Sequence, residues 1–279
     1  MQQLIVPIDG STSSWSAAAV AITLARRADA PIDVVEVVAD EDAAADALDQ
    51  IAAGIGRLDA SDLDITSHAL LVDESVAVTL GDLIEQRPGA TIVMSSHGRG
   101  RTAALVGSVV EELIQREFGP IVVVGPEVRR TDLEGRVLIT VDGSETSEAA
   151  VPLGVAWGIE LEMIPWILEV VDPDLVVPPD TVEAAYTSRL ARSAQSTSGH
   201  RVEFEVAHGR HAAPAIVEYA ERTQAGLIVC ATHGRTGMPR FALGSTAASI
   251  VHGAPCPVLL HRPPHFAIDS TDRRTAASR

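Results

Sequence analysis

The chain states one arrangement of residues twice. Val6-Pro7-Ile8-Asp9-Gly10-Ser11 near the start is matched by Ile139-Thr140-Val141-Asp142-Gly143-Ser144 halfway along. Ser95-Ser96-His97-Gly98-Arg99 and the later Gly107-Ser108 are matched by Ala231-Thr232-His233-Gly234-Arg235 and Gly244-Ser245. Asp9 to Asp142 and Val37 to Val170 are both 133 positions apart. His97 to His233 is 136, and Gly107 to Gly244 and Pro120 to Pro257 are both 137. A spacing that changes only in small steps marks two copies with loop residues inserted, because surface loops tolerate changes of length. One step is expected in the Pro-rich stretch 172–180, the other inside the Gly-rich loop itself. The fold must be one that half the chain can build and then build again.

Each copy alternates short β-branched runs with helix-forming segments. Strands are expected at 3–8, 32–38, 65–72, 91–95 and 121–124, and again at 137–141, 163–171, 201–207, 227–231 and 257–261. Helices are expected at 14–29, 41–60, 74–86 and 108–117, then at 147–157, 180–196, 212–224 and 246–252. Pro152 sits awkwardly inside one of them, since proline lacks a donor and crowds the preceding turn. The alternation predicts an α/β protein of two tandem flavodoxin-like or Rossmann-like domains, each an open five-stranded parallel sheet with helices on both faces. Wholly apolar strands such as Ile121–Val124 suit a sheet covered on both sides. The domains are expected over 1–128 and 135–262, with 263–279 a flexible tail.

At 279 residues the chain suits two domains, and with 46% apolar but only 3% aromatic residues their cores must be aliphatic. The net charge of −17 argues against nucleic acid or an anionic membrane as partner, because phosphate backbones need a basic surface. All 21 basic residues are arginine, and the missing lysine excludes a P-loop NTPase. Cys230 and Cys256 lack metal-site spacing, and Cys230 ends an apolar run, as a small buried hydrophobe does. No stretch approaches a membrane span, and a cytoplasmic location is expected.

Ligands of open parallel sheets bind beyond the carboxyl ends of the strands, where strand order reverses. If strands one and four of each half are neighbours, the Asp-Gly-Ser turn and the Gly-rich turn converge there. The later Gly-Ser pair opens a helix whose unpaired N–H groups and positive dipole end favour an anion. Asp9 and Asp142 fit either a helix cap or a contact to a ribose or metal ion. His97 and His233 read as loop-shaping or phosphate-side residues, with no catalytic residue assigned. The other histidines show no metal-ligand spacing.

Asp-Gly-Ser after the first strand, Ala-Thr-His-Gly-Arg, Gly-Ser and Ala-Pro-Cys-Pro-Val together resemble the universal stress protein family, in a tandem-domain, ATP-binding form, over nearly the whole chain to about Arg262. The family's ATP-binding pattern is Gly, two residues, Gly, nine residues, then Gly followed by Ser or Thr. The second half keeps it from Gly234 through nine residues (235–243) to Gly244-Ser245, with Ala231 in place of the leading Gly. The first half has Ser95 in the leading place and only eight residues (99–106) between Gly98 and Gly107. The resemblance implies an ATP site formed by Thr140, Val141, Asp142, Val170, Ala231, His233, Gly234, Gly244, Ser245, Thr246 and Ala247. The first-half equivalents are Pro7, Ile8, Asp9, Val37, Ser95, His97, Gly98, Gly107, Ser108, Val109 and Val110.

In function the resemblance implies a stress-response regulator that senses ATP with little or no turnover. Mg2+ would accompany the phosphates, because a triphosphate beside so acidic a protein needs neutralising charge. A nucleotide-free dimerisation scaffold and a slow ATP-hydrolysing enzyme on the same fold are the alternatives. The last strand of each half would lie at a sheet edge, and apolar edges seek pairing. The resemblance implies pairing through that strand, between the halves and then into a homodimer, with a protein partner unidentified.

Overall fold

The computed structural model describes residues 1–98, 106–116, 119–174, 181–233 and 243–262. The first half runs β1 (Gln3–Ile8), α1 (Thr12–Ala28), β2 (Ile32–Val38), α2 (Glu41–Ile55), β3 (Ile65–Leu71), α3 (Val76–Glu85), β4 (Ala90–Ser95), α4 (Ser108–Gln115) and β5 (Ile121–Val124). The second runs β6 (Arg136–Val141), α5 (Glu145–Glu148), α6 (Ala150–Glu160), β7 (Ile164–Val171), α7 (Thr181–Ser198), β8 (Glu203–His208), α8 (Ala212–Thr223), β9 (Leu227–Ala231), α9 (Ser245–Gly253) and β10 (Val258–His261). The tail at 263–279 lies outside the described residues.

All ten strands form one sheet in the order β3-β2-β1-β4-β5-β10-β9-β6-β7-β8. Each half is a five-stranded parallel sheet, and the halves join where β5 meets β10 antiparallel, Val122 opposite Leu259. The last strands are the edges of their own halves and, as expected, pair with each other, so that they lie in the middle of the ten-stranded sheet whose outer edges are β3 and β8. The reason is in their composition, for β5 is buried throughout and would otherwise leave an apolar ladder open. Gly125 lets the chain leave β5 close under α9, since a Cβ there would run into the Val251 carbonyl oxygen.

Two aliphatic layers cover the sheet. One face packs Val6, Ile139 and Leu259 under α1, α2, α6 and α7; the other packs Ile5, Leu138 and Leu260 under α3, α4, α8 and α9. The strand registers show the repeat directly. Leu4 pairs with Thr91 as Val137 pairs with Leu227, and Ile92 pairs with Ile121 as Ile228 pairs with Val258. The register also adds a step to the spacing. Asp33 pairs with Thr66 and Trp166 with Glu203, so the edge strands stand 137 apart (66 to 203) before the spacing returns to 136 at the next helices (76 to 212).

The expected helix 147–157 is two helices. Pro152 has no N–H to give the Glu148 carbonyl, and the chain breaks between α5 and α6 at Ala149. The expected helix 41–60 ends at Ile55, with the Gly56 N–H donating to the Ala52 carbonyl.

Candidate functional site

Both halves bend after their first strand in the same way. The Asp142 Oδ1 accepts from the Ser144 N–H (3.0 Å) and hydroxyl (2.6 Å), and Ser144 caps α5 by accepting from the Ser147 N–H (3.2 Å). Asp9, Ser11 and Ser14 repeat those bonds at 3.0, 2.6 and 3.2 Å. The caps are thus the serines, and each Asp braces the turn one residue beyond its strand. In the first half the turn touches the Gly-rich loop: a Cβ on Gly98 would lie 2.7 Å from the Asp9 Oδ2.

β1 neighbours β4, and β6 neighbours β9, so the two turns of each half do meet at the reversal of strand order. Across the second crevice α9 begins at Gly244, whose N–H donates to the Thr232 carbonyl at 2.7 Å. Among the described residues no side chain caps this helix, so its first-turn N–H groups, beyond the reach of intrahelical acceptors, suit a ligand or water. α4 begins identically at Gly107, 2.7 Å from the Ser96 carbonyl. The missing residue of the first-half loop thus leaves the helix start unchanged, and the rest of that loop lies outside the described residues.

The second crevice is a cavity of about 220 Å3. It brings together Thr140, Val141 and Asp142 from the end of β6, Val170 from β7, Ala231 and His233 from β9, and Gly244, Ser245, Thr246 and Ala247 from α9. Gly234 lies outside the described residues. The first crevice, about 230 Å3, is lined by Pro7, Ile8, Asp9, Ser95, Gly98, Gly107, Ser108, Val109 and Val110. Val37 and His97 are not among the described residues lining it, and His97 instead faces a neighbouring hollow beside Thr12 and Ser13. The His97 ring is held by the Ser96 hydroxyl at 2.8 Å, and His233 by the Thr232 hydroxyl at 3.1 Å.

Sequence reasoning missed the walls. Ala212, Ile216 and Cys230 line the second crevice, and Val76, Leu80 and Met94 the first. These residues belong to no motif, and only the repeat spacing of 136 (76 to 212, 94 to 230) could have paired them.

Among the described residues no group of three His, Cys, Asp or Glu side chains is placed to hold a metal ion, and no helix is long and apolar enough to cross a membrane. Cys230 and Cys256 are buried thiols, and burial pushes each from 9.0 up to about 12. A pKa raised in the folded state gives stability that is complete below pH 9 and lost as pH rises towards 12. Each thiol then costs about 1.4 kcal/mol per pH unit across that window. Cys230→Ala combined with Cys256→Ala should therefore flatten the alkaline loss of melting temperature; an unchanged slope would show that the thiols ionise without unfolding.

The model of the universal stress protein family matches residues 1–125 and again 135–262. A universal stress protein of Mycolicibacterium smegmatis is 27% identical over 289 residues, spanning 93% of this chain and 97% of that protein. One from Mycobacterium tuberculosis is 27% identical over 288 residues, spanning 93% and 96%. In fold, the chain is similar to a universal stress protein from Archaeoglobus fulgidus (TM-score 0.66, 18% identity, 93% and 98% of the two chains). It is equally similar to a functionally unknown protein from Pseudomonas aeruginosa (TM-score 0.67, 16% identity, 95% and 94%). Matched twice over nearly its whole length, the chain belongs to the universal stress protein family, with two such domains in tandem.

Proposed function

We propose that the protein binds ATP in the second crevice and acts as a nucleotide-sensing regulator of the stress response, with little or no turnover. The observation that carries this reading is convergence: a carboxylate turn, an uncapped helix start and a small-residue floor of Ala231 and Ala247 meet around one cavity. Phosphates suit the amides at the start of α9, where a Cβ on Gly244 would press on the Thr232 carbonyl. The ribose hydroxyls suit Asp142, and the base suits the apolar side near Val170.

Mg2+ would arrive with the triphosphate, since that ion keeps its waters and takes phosphate oxygens with only one or two carboxylates. Asp142 is the carboxylate that the second crevice offers. Turnover needs a general base aimed at an attacking water, and in this reading His233, its ring 3.1 Å from the Thr232 hydroxyl, shapes the loop instead.

Acid-quenching freshly purified protein and separating the released nucleotide tests the reading. ATP or ADP near one equivalent supports it. A nucleotide-free protein that also fails to take up Mg-ATP returns the scaffold reading. Self-association is a separate part of the proposal. β5 and β10 are spent on each other, so a homodimer must use another face. Light scattering at micromolar concentration should give twice the chain mass.

A further inference from the structure

The two crevices are nearly equal in volume but not in reach, and their walls differ in kind. The helix starts coincide in the repeat, α3 at Val76 with α8 at Ala212, and the matching strand registers make Met94 the counterpart of Cys230. Val76 and Met94 line the first crevice where Ala212 and Cys230 line the second. An isopropyl group replaces a methyl at the rim, and a long thioether replaces a short thiol on the floor. The second cavity extends to Val170 at the end of β7, whereas its counterpart Val37 at the end of β2 is not among the described residues lining the first. Val37 and Val170 both pack against the apolar cluster that holds Met94, Ala77 and Leu80, so the two differ only in that Val170 also reaches a cavity. Val76 itself is 38% exposed, so it stands at the mouth of the crevice rather than in the core.

The helix starts are fixed alike, each by a 2.7 Å bond from Gly107 or Gly244, although Val109 and Val110 follow in the first half where Thr246 and Ala247 follow in the second. We propose that Val76 and Met94 are specificity-determining residues that close the first crevice to a purine base, so that the chain binds one nucleotide, in its second half. The proposal rests on the ATP reading of the second crevice. It assigns the inequality to the walls and not to the shortened loop, because that loop leaves the start of α4 in place.

The test counts sites on the full chain by calorimetric titration with Mg-ATP. The wild-type protein should show one strong site, with any second at least tenfold weaker. Val76→Ala combined with Met94→Cys should raise the count to two. The reverse exchange, Ala212→Val with Cys230→Met, should remove the wild-type site. Val76→Ala alone, at an exposed position, should strengthen the weak site if the double variant folds poorly. Two equal sites in the wild type would overturn the proposal, as would a count that stays at one in both first-half variants. A second site gained merely by inserting one glycine between Gly98 and Gly107 would move the cause to the loop and overturn it too. If the wild type takes up no nucleotide, the ATP reading itself falls and this inference falls with it; a single site abolished by Asp142→Ala leaves that reading standing and puts only the walls on trial.

Discussion

A chain carrying both Gly244→Val and Asp142→Ala should keep its fold and lose Mg-ATP. Affinity at the second crevice should fall by more than about a hundredfold, or ~2.7 kcal/mol. Gly244 sits at φ −65° and ψ 150°, which any residue adopts, so valine strains no backbone there. Its Cβ, however, would come 3.0 Å from the Thr232 carbonyl oxygen and would stand before the amides of α9. The Asp142 carboxylate goes with its two bonds to Ser144, a loss of about 0.5–2 kcal/mol in stability, which a domain of this size survives. Circular dichroism close to wild type together with absent calorimetric heat is the expected pair of results. Undiminished uptake would place the nucleotide elsewhere.

Leu259→Ala should destabilise both halves together, by about 2–5 kcal/mol. Leu259 is wholly buried on β10, opposite Val122 of β5, and its face of the seam joins the core under α1 to the core under α6. If the seam makes one cooperative body, urea unfolding gives one transition in both wild type and variant. Trp15 reports the first half, while Trp157 and Trp166 report the second. Comparing the fluorescence of Trp15→Phe with circular dichroism of the same protein separates the halves. Two transitions, with only the second displaced in the variant, would show that the halves fold independently.

The central strands were plain in the sequence because a sheet covered on both faces demands unbroken apolar runs, as in Leu138–Ile139 and Ile121–Val124. The edges were less plain. β3 and β8 mix exposed and half-buried positions, and their ends shift by one or two residues from the expected 65–72 and 201–207. Pro152 warned of trouble in its helix but not of a clean division into two. The Asp-Gly-Ser and Gly-Ser turns announced the crevice because glycine and capping residues are needed at fixed points of the backbone. The walls stayed hidden, for Ala212 or Met94 in a sequence is indistinguishable from ordinary core. Only the alignment of one half upon the other gives such a residue a position relative to the ligand.

Because β5 and β10 run against each other while every other neighbouring pair runs together, the strands of the two halves point in opposite senses across one sheet. Crevices built at the carboxyl ends of those strands consequently open on opposite sides of the molecule. A compact partner seated on one mouth has no access to the other. Whatever binds at one mouth therefore meets a surface that the other mouth does not share.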